Sequence, residues 1–349
     1  MRLNFPMWAS FALFVMAWSS LDAHAGVDEV RQQPSEIIAA QARPQTCAST
    51  PTDPPRLHAL PNGLHTVLGT IATFDPCHRS VALRAPFFSD KPPLMILVHG
   101  GGGLDSATTN AADAFRSKGM ATLVFDAFQM NGFGQGGRFF ATSVTNEARQ
   151  RMIYRAALGA YEWALGQDKI DNRRILFHGL SNGAAAVANL AAVVDPQHVI
   201  ALYAKGIPGN GIGLPDNLRV LLKVVFGRLD NYGGRTAEES IWLRQEMCAG
   251  NVVDFDHPAG NSAACNRRVN PSNLTQRPID WHEAQQAKGA PIELVWLEDT
   301  AHGVFIGPLT RNMVPYSTGQ TRFAWVGGSH SARSKFLDEV ATRAKAARP

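Results

Sequence analysis

The chain has 349 residues, of which 45% are hydrophobic, and its formal net charge is +4 at pH 7. This length allows one or two domains, and the apolar fraction is sufficient for a large core. The charge is small and dispersed, so the composition gives no support to a nucleic-acid-binding function.

The first predicted element is a secretory signal peptide over residues 1–25. Arg2 precedes an apolar stretch at 5–18, and Ala23-His24-Ala25 supplies the small residues that a signal peptidase recognises. The stretch is shorter than the roughly 20 residues of a membrane-spanning helix, although a single-pass anchor is the alternative. We therefore expect a periplasmic or secreted protein without membrane attachment after cleavage.

Residues 26–55 are polar, contain several prolines and show no periodicity, which predicts an extended lead-in to a main domain over 56–349. In that domain, apolar segments typical of strands alternate with amphipathic segments typical of helices. Strands are predicted at 67–74, 80–85, 94–98, 121–125, 175–177, 199–203, 220–226 and 292–297, the first two as a hairpin. Helices are predicted at 110–118, 146–165, 184–193, 237–246 and 334–346.

This alternation predicts an α/β fold in which a mostly parallel sheet of about eight strands has helices on both faces. Ligands of such sheets bind beyond the carboxyl ends of the strands. Two segments, around 250–280 and 307–328, interrupt the pattern. They are long for plain connections, so we predict loop insertions that form lids or walls over a site.

Four cysteines follow the predicted signal peptide, and an even number in an oxidising compartment indicates disulfides. Three pairings are possible, and we favour Cys47 with Cys77 and Cys248 with Cys265, since each closes a modest loop. Four buried free thiols are the alternative. No C-x-x-C is present, so a zinc site has little support and no metal is expected.

The most informative motif is Gly179-Leu180-Ser181-Asn182-Gly183, which lies between an apolar strand and a run of small helical residues. In a strand, turn, helix context the G-x-S-x-G pattern exposes the serine hydroxyl at the carboxyl edge of the sheet. Five residues with three fixed identities also recur by chance. Ser181 is nevertheless the candidate nucleophile.

A serine needs a base, and the base needs a carboxylate that fixes its tautomer. Asp230 and His302 each follow a later predicted strand, which makes them the candidate acid and base. The competitors are less well placed, because they lie in helical or irregular segments, beside His302 itself, or in the core: Asp254, Asp256, Glu298 and Asp299 as acids, and His178, His257, His282 and His330 as bases.

A run of glycines, His99-Gly100-Gly101-Gly102-Gly103, follows the predicted strand at 94–98. Glycines let backbone N–H groups approach a carbonyl oxygen, so Gly101 and Gly102, together with the N–H of Asn182, are predicted to form an oxyanion hole. A phosphate-binding P-loop is disfavoured because the lysine of that motif is missing.

A second glycine run at 132–137 matches G-x-G-x-x-G, but a dinucleotide fingerprint turns directly from strand to helix and this run does not. We interpret it as a loop at the rim of the site and expect no cofactor. Arg138 and Arg228 are candidates to meet an anionic substrate group, with a solvated surface position as the simpler interpretation.

These motifs together resemble the α/β-hydrolase superfamily and, within it, the dienelactone-hydrolase-like branch of exported bacterial proteins. The resemblance covers about residues 56–346 and rests on the glycine loop, the serine pentapeptide, Gly227-Arg228-Leu229-Asp230, Ala301-His302-Gly303 and Phe125-Asp126-Ala127-Phe128. It implies a Ser-His-Asp triad and hydrolysis of an ester or related acyl bond through an acyl-enzyme. Founding dienelactone hydrolases have cysteine at the position of Ser181, so the lactone substrate does not follow from the fold.

The expected function is therefore a serine hydrolase that cleaves carboxylic esters or lactones of small molecules. Two alternatives stay open. A peptidase or amidase uses the same triad, and a non-catalytic binding protein keeps the same fold, although such proteins often lose a triad residue. The substrate and the oligomeric state are not assigned by the sequence.

Overall fold

The computed structural model describes residues 74–86, 91–131, 146–209, 211–230, 276–315 and 321–346. The predictions for the signal peptide, the lead-in, the glycine run at 132–137, the helix at 237–246, most of the insertion at 250–280 and nearly all of the strand at 67–74 lie outside these residues. Among the helices of the described part, none combines the length and the hydropathy that crossing a bilayer requires.

Seven strands of the described chain form one sheet: β1 Ala82–Arg84, β2 Pro93–Val98, β3 Ala121–Val124, β4 Asp171–Leu180, β5 Val199–Lys205, β6 Leu222–Gly227 and β7 Ile292–Leu297. Their order in the sheet is β1-β3-β2-β4-β5-β6-β7. Every neighbouring pair is parallel except β1 and β3, which are antiparallel. The mostly parallel sheet is thus confirmed, and the eighth predicted strand, at 67–74, lies almost wholly outside the described residues.

The central strands are continuous apolar runs because helices cover both faces of the sheet. All six residues of β2 are buried, as are all six of β6. The helices are α1 Ser106–Ser117, α2 Ala127–Met130, α3 Asn146–Leu165, α4 Asn182–Leu190, α5 Gln276–Ala287 and α6 His330–Lys345. One face packs mainly against α3 and α4 and the other against α1 and α6. The prediction of helices on both faces is confirmed.

The second predicted insertion is more regular than expected. Within 307–328, strands β8 Thr310–Pro315 and β9 Thr321–Val326 pair antiparallel as a hairpin outside the main sheet. The sequence indicated an insertion but not its strands, because neither strand alternates polar and apolar residues clearly enough to indicate a pleat. Backbone pairing between the two strands supplies the regularity that the side-chain pattern lacks.

Of the four cysteines, only Cys77 lies in the described part. Cys77 is disulfide-bonded, and its backbone N–H donates to Asp75 Oδ1 at 2.9 Å. Cys47, Cys248 and Cys265 lie outside the described residues, so both predicted pairings stay predictions.

His178 on β4 is a core residue, as its position before the serine turn predicted. Its side chain is buried among the rings of Phe115, Phe305 and Phe336, at centroid distances of 5.7, 5.6 and 5.8 Å. Burial, assisted by the positive charge of Lys205, lowers the pKa of His178 to about 3. The imidazole is therefore neutral at physiological pH.

This buried histidine predicts a pH-dependent stability. The unfolded chain takes up the proton of His178 near pH 6.5 and the folded chain only near pH 3. The neutral, buried His178 therefore makes its full contribution to the free energy of unfolding above pH 6.5. Between pH 6.5 and pH 3 this contribution falls by about 1.4 kcal/mol for each pH unit. In urea unfolding at pH 7, 6 and 5, His178→Leu should show a shallower pH slope than the unmodified protein. Phe115→Leu, a core change without a titratable group, should keep the original slope; parallel slopes for all three proteins would contradict the assignment.

Candidate active site

Ser181 lies at the sharp turn between β4 and α4. Its backbone has φ 54° and ψ −118°, a conformation that is strained for a residue with a Cβ atom. Ser181 occupies the N-cap position of α4, yet its side chain makes no capping hydrogen bond. The hydroxyl is thus not used to stabilise the helix end, which is the usual role of serine at this position.

The two glycines of the pentapeptide are explained by close backbone packing. A Cβ atom on Gly179 would overlap the carbonyl oxygen of Gly183, and one on Gly183 would overlap the carbonyl oxygens of Val98 and His99. The start of α4 therefore lies directly against the end of β2. This contact brings the serine turn and the glycine loop together.

His302 and Asp230 form a hydrogen-bonded pair at the same edge of the sheet. His302 Nδ1 lies 3.1 Å from Asp230 Oδ2, and both residues are buried. A carboxylate oxygen only accepts, so Nδ1 carries the hydrogen and Nε2 keeps a lone pair. The pair therefore has the tautomer that a general base requires.

Backbone contacts fix the loops that carry this pair. The N–H of Leu229, beside Asp230, donates to Thr300 O at 2.9 Å. At Gly206, which has φ 65°, an added Cβ would come within 3.0 Å of the His302 ring and 3.2 Å of Asp230 Oδ2. A glycine after β5 thus leaves the space that the imidazole occupies.

His302 is also attached to the β8–β9 hairpin. The N–H of His302 donates to Trp325 O at 3.4 Å, and the carbonyl of His302 accepts from Gly327 N at 3.0 Å. The hairpin therefore holds the backbone of His302 on both sides. Its predicted role as a wall of the site stays a prediction.

Two of the predicted oxyanion groups, Gly101 and Asn182, lie next to each other. A Cβ atom on Gly101 would lie 2.7 Å from Asn182 Nδ2, and one on Gly100 would lie 3.6 Å from the Ser181 Cβ. Gly102 has open space around it. Ala184 N and Ala185 N donate to the carbonyl of Ser181 at 2.8 and 3.2 Å. The start of α4 is the positive end of the helix dipole, so the turn after Ser181 suits a developing negative charge.

Two buried residues, His99 and Asp126, hold the glycine loop in shape. His99 Nε2 accepts from Ala127 N at 3.0 Å, which leaves Nδ1 to donate to Gly100 O at 2.7 Å. Burial lowers the pKa of His99, in keeping with this neutral form. Asp126 accepts from Leu104 N at 3.1 Å and from the first N–H groups of α2.

Gln150 was missed by the sequence analysis. Its Nε2 donates to Asn182 Oδ1 at 3.0 Å, and its Oε1 accepts from Ile212 N at 2.8 Å. The bond turns the Asn182 amide so that Nδ2 faces Gly101. In the sequence Gln150 is only one polar residue of a predicted amphipathic helix, and the structure shows that it is fully buried. The sequence pattern carries no information about its partners.

Most competing residues have other roles or lie outside the described chain. Glu298 pairs with Arg228 at 3.1 Å on the surface, and Arg228 stacks over Trp296 at 4.5 Å. The competitors Asp254, Asp256 and His257, with Arg138, lie outside the described residues. Within the described ranges no cluster of three or more His, Cys, Asp or Glu side chains could hold a metal ion.

No family model matches the chain. A curated Escherichia coli protein, described as an uncharacterized 31.7 kDa protein in the traX-finO intergenic region, is 32% identical over 118 residues. These residues are 32% of this chain and 37% of that protein. The match therefore spans little more than a third of the relative's length.

Several solved structures are similar to the chain at low identity. The dienelactone hydrolase-like promiscuous phosphotriesterase P91 from metagenomic libraries is 13% identical, with 76% of this chain and 98% of that chain covered and a TM-score of 0.41. The dienelactone hydrolase from Anabaena variabilis is 14% identical over 75% of this chain and 88% of its own, with a TM-score of 0.41. Est1E from Butyrivibrio proteoclasticus, with bound ferulic acid, is 15% identical over 75% and 92%, with a TM-score of 0.41.

The fold itself follows from the geometry of this chain. The sheet is parallel apart from its edge strand, and Ser181 stands at a strained turn after the middle strand β4. Asp230 and His302 follow β6 and β7, and the glycine loop follows β2. This arrangement of sheet, serine turn and strand-end residues is that of the α/β-hydrolase fold.

Proposed function

We propose that the chain is a serine hydrolase that cleaves carboxylic esters or lactones through an acyl-enzyme. The observation that carries the proposal is the 3.1 Å bond from His302 Nδ1 to Asp230 Oδ2, at the sheet edge where Ser181 has its strained backbone. A merely structural histidine would not require the unfavourable φ at a neighbouring serine. Strain of this kind is concentrated at functional sites.

In the proposed mechanism, His302 Nε2 takes the proton of Ser181 Oγ while Oγ attacks the carbonyl carbon of the ester. Asp230 holds the imidazole and stabilises its positive charge. The tetrahedral oxyanion accepts hydrogen bonds from the glycine loop and from Asn182 N–H. The intermediate then expels the alcohol, which takes the proton from His302, and leaves Ser181 acylated.

Deacylation reverses these roles. Water attacks the acyl-enzyme while His302 takes a proton from it, and Ser181 Oγ leaves with that proton as the acid is released. The chain's own groups supply every proton transfer in this sequence.

We also propose that the protein is exported to the periplasm or secreted and that its disulfides are Cys47–Cys77 and Cys248–Cys265. The support is the segment at 1–25 and the even number of cysteines after it. The triad is also used by peptidases and amidases, so the substrate bond needs a direct test.

The test is labelling with a fluorophosphonate probe, followed by peptide mapping and an activity panel. We expect the label on Ser181, because an activated serine reacts with the fluorophosphonate. We also expect turnover of p-nitrophenyl esters in preference to aminoacyl anilides. Faster turnover of the anilides would assign an amidase. Absence of label and of turnover in the folded protein would leave a binding protein of the same fold and would overturn the proposal.

A further inference from the structure

We propose that Lys205 is a positioning residue that joins the acid and the base of the site through its buried ammonium group. The inference rests on the proposed function, because it assigns Lys205 a role in the Asp230 and His302 pair. Nothing in the sequence analysis singled out this lysine.

Lys205 is the last residue of β5, and it contacts the loops after the next two strands. Its Nζ lies 3.5 Å from Asp230 Oδ2 and 3.0 Å from the carbonyl oxygen of Ala301, the residue before His302. Both contacts are acceptors, so the amine donates to each. One side chain therefore connects the acid loop after β6 to the base loop after β7.

The lysine is completely buried, with none of its side chain exposed. Burial of an ammonium group is unfavourable unless the charge is paired and hydrogen-bonded. Burial lowers the pKa of Lys205, and the negative charge of Asp230 opposes that change. A leucine or methionine would fill this volume without the desolvation penalty, so packing alone does not account for a lysine here.

Lys205 and His302 share one oxygen of the acid. Asp230 Oδ2 is the atom that His302 Nδ1 contacts at 3.1 Å and that Lys205 Nζ contacts at 3.5 Å. A positive charge at this oxygen keeps Asp230 ionised, and it also disfavours a second positive charge on His302. The lysine therefore fixes the carboxylate in place, and its charge acts on both members of the pair.

Among the described residues, the titratable groups around Lys205 come from three neighbouring elements: His178 on β4, Asp230 after β6, and His302, which contacts Asp230, after β7. His178 is neutral, because burial lowers its pKa to about 3. Within the described part of the chain, the charges that act with Lys205 at neutral pH are therefore those of Asp230 and His302. Removal of the Lys205 ammonium group should make the net charge around Asp230 and His302 more negative.

The experiment compares Lys205→Met and Lys205→Gln with the unmodified protein in two measurements. The first follows the Nδ1–H resonance of His302 in proton NMR as the pH is lowered, which needs no substrate. We expect protonation of His302 to move upward by about 1 pH unit in both variants, because the competing charge is gone. Titration at the original pH in both variants would overturn the proposal.

The second measurement is the pH profile of ester hydrolysis. In Lys205→Met, kcat should fall about 10-fold or more with KM changed less than about twofold, and the acid limb of kcat/KM should move to higher pH. Lys205→Gln keeps an N–H donor without the charge, so it should recover part of kcat while its acid limb stays shifted. Unchanged kcat and an unshifted acid limb in both variants would contradict the role of Lys205.

Lys223→Met is the matched control. Lys223 is also a buried lysine on a strand of the same sheet, but it pairs with Glu293 and Glu339 at 2.8 Å, away from the acid–base pair. This control should keep the His302 titration and the pH profile. If the unmodified protein neither reacts with the fluorophosphonate nor hydrolyses esters, the proposed function fails, while the NMR titration still decides the role of Lys205.

Discussion

Alanine in place of Ser181 is expected to reduce kcat for ester hydrolysis by about 10⁵-fold or more, and to abolish fluorophosphonate labelling. The reason is that the acyl-enzyme cannot form without Oγ, whereas the pair of Asp230 and His302 remains in place. Ester turnover of the purified variant, with circular dichroism as the test of folding, measures the effect. Full activity in a folded Ser181→Ala protein would exclude Ser181 as the nucleophile.

Ser181→Gly is the companion variant, because it distinguishes the effect of backbone strain on stability from the effect of the missing hydroxyl group on activity. Glycine adopts φ 54° without the clash of a Cβ atom. Ser181→Gly should therefore be as inactive as Ser181→Ala but more stable by about 1 kcal/mol in urea unfolding. Equal stability of the two variants would show that the turn is not strained.

The second large effect is expected for Gly183→Ala. The added methyl group would overlap the carbonyl oxygens of Val98 and His99, which are backbone atoms that cannot rotate away. The start of α4 must then move from β2, at a loss of about 3 kcal/mol or more in the free energy of unfolding. Denaturant unfolding measures the loss, and ester turnover should fall with it because the glycine loop and Asn182 separate.

Gly213→Ala is the control for Gly183→Ala. Gly213 has no atom within 4 Å of the position that a Cβ would occupy. Its substitution should change the free energy of unfolding by about 0.5 kcal/mol at most. A Gly183→Ala protein as stable as Gly213→Ala would contradict the close packing of α4 against β2.

The residues at strand ends were predictable because a strand buried between two layers of helices is a continuous apolar segment. The end of such a segment is visible in the sequence. The runs ending at Val98, Leu180, Gly227 and Leu297 are followed by the glycine loop, Ser181, Asp230 and His302. Parallel strands end at the same edge, so four segments far apart in sequence could be placed together without a structure. The assignment of chemical roles to these residues remains a proposal.

Lys205 and Gln150 could not be predicted in the same way. The strand that contains Lys205 was predicted to end at Tyr203, because a charged residue normally marks the end of a buried run. The structure extends β5 to Lys205, since the charge finds partners 25 and 96 residues further along the chain. Burial of a polar residue can be predicted only when its hydrogen-bond partner is known. Sequence periodicity carries no information about partners that are distant in the chain.

The hairpin of β8 and β9 limits how the site of this protein could be redesigned. A surface hairpin near a pocket is usually a module that can be exchanged to change substrate preference. Here its last residues form backbone hydrogen bonds to both sides of His302. An exchange of the hairpin would also move the backbone of His302. Under the proposed function, substrate preference and turnover therefore could not be altered independently from this side of the site.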